Sequence, residues 1–292
     1  KHEIEGFCIF NNVAIAVRYA QEKYGIKKVA ILDWDVHHGD STQKVFYDDP
    51  RVLFCSIHKY QNGYFYPGSS GFIGNIGEGE GKGYNLNIPW DITEDAGICR
   101  TVGDNEYVYI FERIIYPLFK EYDPELIFVS AGFDSANGDY LGGISVTPYC
   151  YAYITKRLME LNKNIILASE GGYNCDIIPV CAEYCLRTIL GEDIISTNAA
   201  DKFSLEKMKN NCLPSKIAQD LASNLIYLHK GNWPILLSNS LVDYENTVKN
   251  YAKQHFQHDL LFSVRPLSIA SSSKLIKTFK AGEEIFYRMI KS

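Results

Sequence analysis

The chain has 292 residues, of which 46% are hydrophobic, and a formal net charge of −6. This composition is ordinary for a globular protein with a substantial core, and the acidic balance does not favour binding to nucleic acid or to an anionic membrane surface. The longest apolar runs are only strand-sized, so the sequence predicts no membrane span and no secretory signal. The 8 cysteines include no CxxC pair, which favours a reducing compartment over a disulfide framework.

Segments with helix and strand patterns alternate along the chain as far as Glu192. A first helix, capped by Asn11 or Asn12, ends at Gly25, which is a typical helix stop. Five apolar strands are predicted at 28–33, 51–57, 84–88, 125–131 and 164–169, and further helices at 101–122, 147–162 and 176–190. Pro89 is expected to end the third strand. Continuous apolar strands that alternate with helices indicate a mostly parallel sheet covered on both faces.

Two segments depart from this alternation. The long loop 59–83 is rich in Gly and Tyr, and its aromatic run Tyr64-Phe65-Tyr66 favours the rim of a functional site. After Glu192 the strand pattern stops, although 214–230 still has the pattern of an amphipathic helix. We therefore predict a main domain over 1–235 and a helical C-terminal extension over 236–292, to which no function is assigned.

The segment AILDWDVHHGD, at the end of the first predicted strand, is the most informative part of the chain. Asp33, Asp35 and His37 occupy alternate positions, so their side chains lie on one face of an extended segment, whereas His38 faces the opposite side and is interpreted as structural. In α/β proteins ligands bind at the carboxyl ends of the strands. Two carboxylates and an imidazole there are suitable zinc ligands. The alternative interpretation is an acidic, histidine-rich surface loop.

Two further strands also end in polar groups. Asp134 follows the fourth strand in AGFD, and Glu170 and Tyr173 follow the fifth in EGGY. Neighbouring parallel strands lie about 5 Å apart, so their carboxyl ends can meet around one ion. A metal hydrolase needs such groups from several strands. The alternative for Asp134 is a simple turn cap.

Taken together, these segments resemble the motifs of zinc-dependent histone deacetylases. The resemblance rests on DWDVHHGD, SIHKY, AGFDSANGD and EGGYN, and SEGGY and GFCIFNN are similar to the class II branch. It covers the chain from Gly6 to Glu192. The resemblance implies an α/β fold of the arginase-like type, with three α/β/α layers and a mostly parallel sheet. It also implies hydrolysis of acetyl-lysine amides in histones or other proteins.

The resemblance also implies roles for individual positions. Asp35, His37 and Asp134 match the zinc ligands, and Tyr173 matches the tyrosine that donates to the scissile carbonyl. Tyrosine rather than histidine at 173 is typical of active deacetylases. Other matches are a monovalent cation (K⁺) site at Asp33, Ser56 and Ile57 with the carbonyls of Asp35 and His37; a peripheral cation site at Phe46, Asp49, Val52 and Tyr84; and an acetyl-lysine tunnel at Gly6, Phe7, Tyr66, Leu141 and Gly172. Tyr66 stands where the family usually has Phe.

One family feature does not match. The general base of the family is a His-His pair shortly before the GFC motif, and aligned on Gly6 it would fall upstream of Lys1. His2 is in the wrong register for it. Asp33 and Asp40 match the carboxylates that orient this pair. The resemblance therefore implies an N-terminally incomplete domain that binds zinc and hydrolyses poorly.

Several alternatives remain open at this stage. The missing pair is compatible with an inert zinc-binding interaction or regulatory module, and an acetylpolyamine-type small-amide deacetylase would use the same zinc chemistry. A two-metal ureohydrolase of the same fold would need a second acid where the sequence has Asp134-Ser135-Ala136. The partners implied are acetylated lysine side chains and corepressor-type proteins, with no direct nucleic acid and no membrane. The expected location is the nucleus or the cytoplasm.

Overall fold

The protein, studied as a computed structural model, is described over residues 4–92, 102–192, 194 and 214–238. Its strands are β1 (Val29–Asp33), β2 (Val52–Lys59), β3 (Asn85–Trp90), β4 (Leu126–Ala131) and β5 (Asn164–Ser169). The α-helices described are α1 (Asn12–Tyr24), α2 (Asp40–Phe46), α3 (Asp104–Ile110), α4 (Tyr116–Tyr122), α5 (Pro148–Met159), α6 (Ile178–Ile189), α7 (Lys216–His229) and α8 (Ile235–Ser238). The five strands form one parallel sheet in the order β3-β2-β1-β4-β5.

The sheet separates two hydrophobic layers, because successive strand residues point to opposite faces. In β1, Ala30 and Leu32 pack into the larger core, which includes α3, α4 and α5. Val29 and Ile31 pack on the other face against α1. The predicted three-layer α/β/α architecture is confirmed within the described residues.

Helix α1 shows how the local sequence sets one of these layers. The Asn11 side chain accepts a hydrogen bond from the Ala14 N–H at 2.8 Å, and Gly25 ends the helix with φ of 69°. Both are the expected capping interactions. Val13 and Val17 are buried, one turn apart, on the face that meets the sheet. The helix is therefore oriented by its caps and its apolar stripe together.

One predicted strand end is wrong, and one predicted helix contains an irregularity. The third strand does not end before Pro89 but continues to Trp90. Because β3 is an edge strand, a residue without an N–H can be accommodated there. The predicted helix 101–122 is found as an unbroken helical run from Asp104 to Tyr122, in which Phe111–Ile115 forms a π-helical turn between α3 and α4. Extra residues of this kind inside a helical pattern are not visible as a change in hydrophobic period.

The opposite edge of the sheet differs from its centre. All residues of β1 to β4 are buried, whereas β5 alternates between exposed and half-buried positions, and Ile166 is 43% exposed. No helix among the described residues has the length and apolar character needed to cross a bilayer. The predicted boundary at 235/236 falls inside α8, and the extension after Ser238 lies outside the described residues.

Candidate metal centre

The carboxyl ends of β1 and β4 bring three candidate ligands together. Asp35 and His37 follow β1, and Asp134 follows β4; Asp33 of β1 lies opposite Ser130 of β4 in the sheet register. Each of the three candidates offers one ligand atom, and these atoms lie within 4.8 Å of one another. The Nδ1 atom of His37 is 3.1 Å from Asp35 Oδ1 and 3.0 Å from Asp134 Oδ2. We refer to Asp35, His37 and Asp134 as the triad.

Backbone hydrogen bonds hold the two carboxylates of the triad in place. Asp134 Oδ1 accepts from the Val36 N–H at 2.7 Å, and Asp35 Oδ2 accepts from the Gly171 N–H at 2.9 Å. A Cβ atom on Gly132 would collide with the Asp35 carboxylate, and one on Gly171 would collide with both carboxylates. These two glycines therefore allow the loops after β4 and β5 to pack directly on the acidic groups.

The close approach of the acidic groups shifts their protonation. Burial and the neighbouring Asp35 carboxylate raise the pKa of Asp134 to about 7. Burial also raises the pKa of Asp33, together with the charges of Asp35 and Glu170. Burial acts to lower the pKa of His37, but its hydrogen bonds to Asp134 and Asp35 outweigh this and raise it to about 10.

These properties fit a bound divalent cation. The negative groups repel one another and attract protons in the absence of a cation, and a doubly charged ion would neutralise them. Two carboxylates and one imidazole make a suitable donor set for zinc, and a site with three protein ligands retains an open position for catalysis. The residues that are present therefore fit the metal that the resemblance implies.

Tyr173 lies beside the triad. Its ring centroid is 6.3 Å from that of His37 and 6.2 Å from that of Phe7. The preceding Gly172 has φ of 137°, a conformation that side chains rarely adopt. Burial and the charges of Asp134 and Asp35 raise the pKa of Tyr173, so its phenol keeps its proton near neutral pH and can donate a hydrogen bond.

Three of the predicted tunnel residues, Gly6, Phe7 and Tyr66, lie near the same position. The ring of Tyr66 is 6.0 Å from that of His37, and a Cβ atom on Gly6 would be 3.4 Å from the Tyr66 hydroxyl. Phe7, Tyr66 and Leu141 all carry exposed apolar surface. The structure thus places Phe7 and Tyr66 on the solvent side of the site, where an apolar substrate chain can contact them.

Phe65 is a site residue that the sequence analysis did not single out. Its ring stacks on His37 with centroids 5.1 Å apart and an angle of 9° between the planes. The Nζ atom of Lys59 lies 4.7 Å from the centroid of the same ring. The aromatic run 64–66 was the only available signal, and it does not show which of the three rings faces the triad.

The residues of the first predicted cation site lie together below the triad. Asp33 of β1 pairs in register with Ser56 of β2, and Ser56 and Ile57 are fully buried. His58 Nε2 donates to the Gly71 carbonyl at 2.9 Å, so its Nδ1 accepts from the Ser56 hydroxyl at 2.9 Å. This arrangement leaves the lone pairs of the Ser56 oxygen available to a cation.

The other predicted positions are also located. Asp49 N–H donates to the Phe46 carbonyl and Val52 N–H to the Asp49 carbonyl, each at 3.1 Å, and the Asp49 carboxylate binds Arg51 and Arg18. The ring of Tyr84 packs on Tyr122 and Trp233. Asp40 begins α2 and forms an ion pair with Lys44. His38 is buried, as a structural residue would be, and its Nδ1 lies 3.1 Å from the Ser70 hydroxyl.

Comparison with families of known proteins gives a match over most of the chain. Residues 1–189 match the model of the histone deacetylase domain. Histone deacetylase 5 of Arabidopsis thaliana is 47% identical over 193 residues, covering 64% of this chain and 28% of that protein. Histone deacetylase clr3 of Schizosaccharomyces pombe is 45% identical over 194 residues, covering 65% of this chain and 27% of that protein. The chain thus spans little more than a quarter of the length of these relatives.

Solved structures show the same similarity. The HD domain of HDA15 superposes with a TM-score of 0.69 at 33% identity, covering 85% of this chain and 61% of that chain. The histone deacetylase Clr3 superposes with a TM-score of 0.68 at 32% identity, covering 94% of this chain and 41% of that chain. The similarity therefore extends from the sequence motifs to the arrangement of the strands and helices around the triad.

Proposed function

Because this chain belongs to the histone deacetylase family, among its class II-like members, we propose that it hydrolyses the acetyl-lysine amide of histones or other proteins with one zinc ion. The observation that carries the proposal is the triad of Asp35, His37 and Asp134, with Tyr173 beside it. The family is zinc-dependent, and the donor set of the triad suits that metal.

The triad would hold the zinc ion, which supplies polarisation of the amide carbonyl and a lowered pKa for a water molecule when it is bound. Tyr173 donates its phenolic hydrogen to the amide oxygen as negative charge develops there. Such a donor is effective when it is placed before the reaction, and losing one typically costs about 10²–10³ in rate. Because the pKa of Tyr173 is raised, its phenol stays protonated near neutral pH and can donate this hydrogen.

The aromatic walls explain the choice of an acetylated lysine. The aliphatic part of the side chain packs between Phe7 and Tyr66, and the neutral amide enters without a charge to desolvate. The free lysine product is charged and strongly hydrated, so it leaves an apolar slot readily. Gly6 and Leu141 complete the walls, and Gly172 allows the backbone turn that presents Tyr173.

Several finer assignments belong to the same proposal. A potassium ion is assigned to Asp33, Ser56 and Ile57 with the carbonyls of Asp35 and His37, and a second one to the peripheral set of Phe46, Asp49, Val52 and Tyr84. Residues 1–235 form the deacetylase domain, and 236–292 form an extension. Corepressor-type proteins are the expected partners, and the nucleus or the cytoplasm is the expected location.

The experiment is a substrate panel on the zinc-loaded protein. We expect slow but measurable release of acetate from an acetyl-lysine histone peptide, because the family's general base has no match within this chain, and loss of this activity when a chelator removes the metal. Turnover of an acetylpolyamine without turnover of the peptide would contradict the assignment to protein substrates. Stoichiometric zinc without turnover of any amide would contradict the enzymatic proposal itself.

A further inference from the structure

We propose that Asp139 is a positioning residue: its carboxylate joins the loop after β4 to the loop after β5 and thereby sets the position of Tyr173 relative to the triad. This inference rests on the proposed deacetylase function. Asp139 is half-buried and lies five residues after Asp134, in the loop that also carries Leu141. It contacts no ligand atom of the triad, so its effect on the reaction would pass through other residues.

The carboxylate of Asp139 accepts three backbone hydrogen bonds. Its Oδ2 accepts from the Tyr173 N–H at 2.7 Å, and its Oδ1 accepts from the N–H groups of Leu141 and Gly142 at 2.8 and 3.2 Å. Hydrogen bonds to a charged acceptor are stronger than those between neutral groups. One side chain therefore fixes the backbone of the proposed oxyanion donor and that of a tunnel wall.

A second contact runs between the same loops in the opposite direction. The buried Asn174 donates from Nδ2 to the Gly138 carbonyl at 2.7 Å. The two loops are thus joined by two hydrogen bonds between adjacent residues. We call the Asp139–Tyr173 and Asn174–Gly138 hydrogen bonds the latch.

The backbone before Tyr173 explains why the latch is needed. Tyr173 follows Gly171 and Gly172, which lack the side chains that restrict backbone dihedrals. The N–H of the first glycine donates to Asp35, and the second has φ of 137°. Positional accuracy at the reacting atoms is then supplied by the latch, since a displacement of about 1 Å can cost about 10² in rate.

The other end of the Asp139 loop reaches the triad. Gly142, one of its backbone donors, lies so close to the Asp134 backbone that a Cβ atom on Gly142 would collide with the Asp134 carbonyl. A loop aspartate that capped only its own turn would bind Leu141 and Gly142 and nothing else. The bond to Tyr173, 34 residues away in sequence, is the feature that local capping does not explain.

The test is Asp139→Asn in the zinc-loaded protein. The amide keeps the shape of the side chain but loses the charge and one acceptor oxygen, so it cannot accept backbone hydrogen bonds from both loops. We expect kcat to fall by about 10–100-fold with a much smaller change in KM and unchanged zinc content. In a Tyr173→Phe background the same substitution should lower kcat by less than about twofold, because the two residues act as one unit.

The matched control is Glu125→Gln. Glu125 also accepts two backbone N–H groups across the fold, from Lys27 and Lys28, but at the opposite end of the sheet. We expect its kcat to stay at the wild-type value. Asp139→Glu keeps the charge but moves the carboxylate, and it should lose kcat as Asp139→Asn does. Wild-type kcat in both Asp139 variants, or full additivity with Tyr173→Phe, would overturn the inference.

Amide hydrogen exchange at Tyr173 separates this inference from the proposed function. If the wild-type protein shows no turnover but Asp139→Asn speeds exchange of the Tyr173 amide, the latch stands and the proposed function fails. If exchange at Tyr173 is the same in both proteins, the latch is contradicted whatever the activity.

Discussion

The hydroxyl of Tyr173 and the ligand atoms of the triad serve different purposes, and single substitutions separate them. Tyr173→Phe removes one hydrogen-bond donor and leaves Asp35, His37 and Asp134 intact. We expect kcat to fall by about 10²–10³, as for other oxyanion donors, while zinc affinity changes by less than about twofold. Steady-state kinetics and a competitive zinc titration measure the two quantities. Equal losses of turnover and zinc binding would contradict the role given to Tyr173.

Asp134 is the fully buried member of the triad, and its substitution tests metal binding. Asp134→Asn keeps the volume of the side chain but removes the negative charge that attracts a cation. Outer hydrogen-bond partners of metal ligands are typically worth about 10–100-fold in affinity, so loss of a ligand charge is expected to cost at least about 100-fold. Zinc content after competition with a chelator measures this. The exposed Asp176→Asn is the control, and equal zinc content in the two variants would remove Asp134 from the ligand set.

At the residue scale, the sequence predicts the triad better than its surroundings. The alternation of Asp33, Asp35 and His37 at the end of β1 and the polar group after β4 predicted that Asp35, His37 and Asp134 lie together, and their ligand atoms are within 4.8 Å of one another. Phe65 was predicted only as part of an aromatic rim, and Asp139 was not predicted, because their contacts depend on the conformation of irregular loops. A stack on His37 and a bond to the Tyr173 amide leave no periodic pattern in the sequence.

At the scale of elements, the long loop after β2 is held by buried polar groups. Gln43 of α2 donates to the Ser70 carbonyl at 3.0 Å, and its Oε1 accepts from Asn85 and Asn87 of β3 at 2.9 and 2.8 Å. All three of these side chains are buried. These hydrogen bonds join α2 and β3 to the loop that also carries Phe65, whose ring stacks on His37.

Replacing Gln43 therefore tests whether its hydrogen bonds hold the loop after β2 in place. Gln43→Leu removes three buried hydrogen bonds, although Asn85, Asn87 and the Ser70 carbonyl each keep another partner, and their combined loss costs about 1–3 kcal/mol. We expect the free energy of unfolding to fall by about that amount and the amides of 61–72 to exchange faster than those of the sheet. Chemical denaturation and hydrogen exchange measure these effects.

Gln219→Leu in α7 provides the comparison. Gln219 donates to the Pro214 carbonyl at 2.8 Å, and this contact is local to the start of its helix. Gln219→Leu should leave amide hydrogen exchange over 61–72 unchanged. Equal exchange in the two variants would show that Gln43 stabilises the fold generally and does not hold this loop.

Strand positions were predicted to within one or two residues for β1, β4 and β5, because each is a continuous apolar run bounded by polar residues. Pro89 misled the prediction for β3, since the tolerance for proline depends on whether a strand lies at an edge. Strand order is a property of the assembled sheet and is not encoded in any one segment. The π-helical turn at Phe111–Ile115 was missed because every residue from Glu106 to Ile115 is buried and the apolar pattern therefore shows no change of period there.

At the scale of the whole molecule, burial of ionisable groups makes stability depend on pH. Burial lowers the pKa of His38 and of His229 from 6.5 to about 4, and it also lowers that of His58. Burial raises the pKa of Asp104 from 3.8 to about 7. The histidines therefore lower the free energy of unfolding as the pH falls. Asp104 binds its proton more tightly in the folded state, so its protonation raises the free energy of unfolding over its own titration range.

His229 allows one of these contributions to be isolated. It is fully buried at the end of α7, and it lies outside the proposed site. Between pH 6.5 and pH 4 the unfolded chain takes up a proton at this residue and the folded chain does not, so the free energy of unfolding falls as the pH is lowered. The expected loss from this residue alone is about 2 kcal/mol between about pH 7.5 and about pH 5.

His229→Gln removes this titration while keeping a polar side chain of similar size. Urea unfolding at the two pH values should show the wild-type protein losing about 2 kcal/mol more than the variant on acidification. The contributions of His38, His58 and Asp104 are common to both proteins and cancel in the comparison. If the two proteins lost equal stability, His229 would already be protonated in the folded state or exposed to solvent, and the packing of α7 against the rest of the molecule would have to differ from the one described.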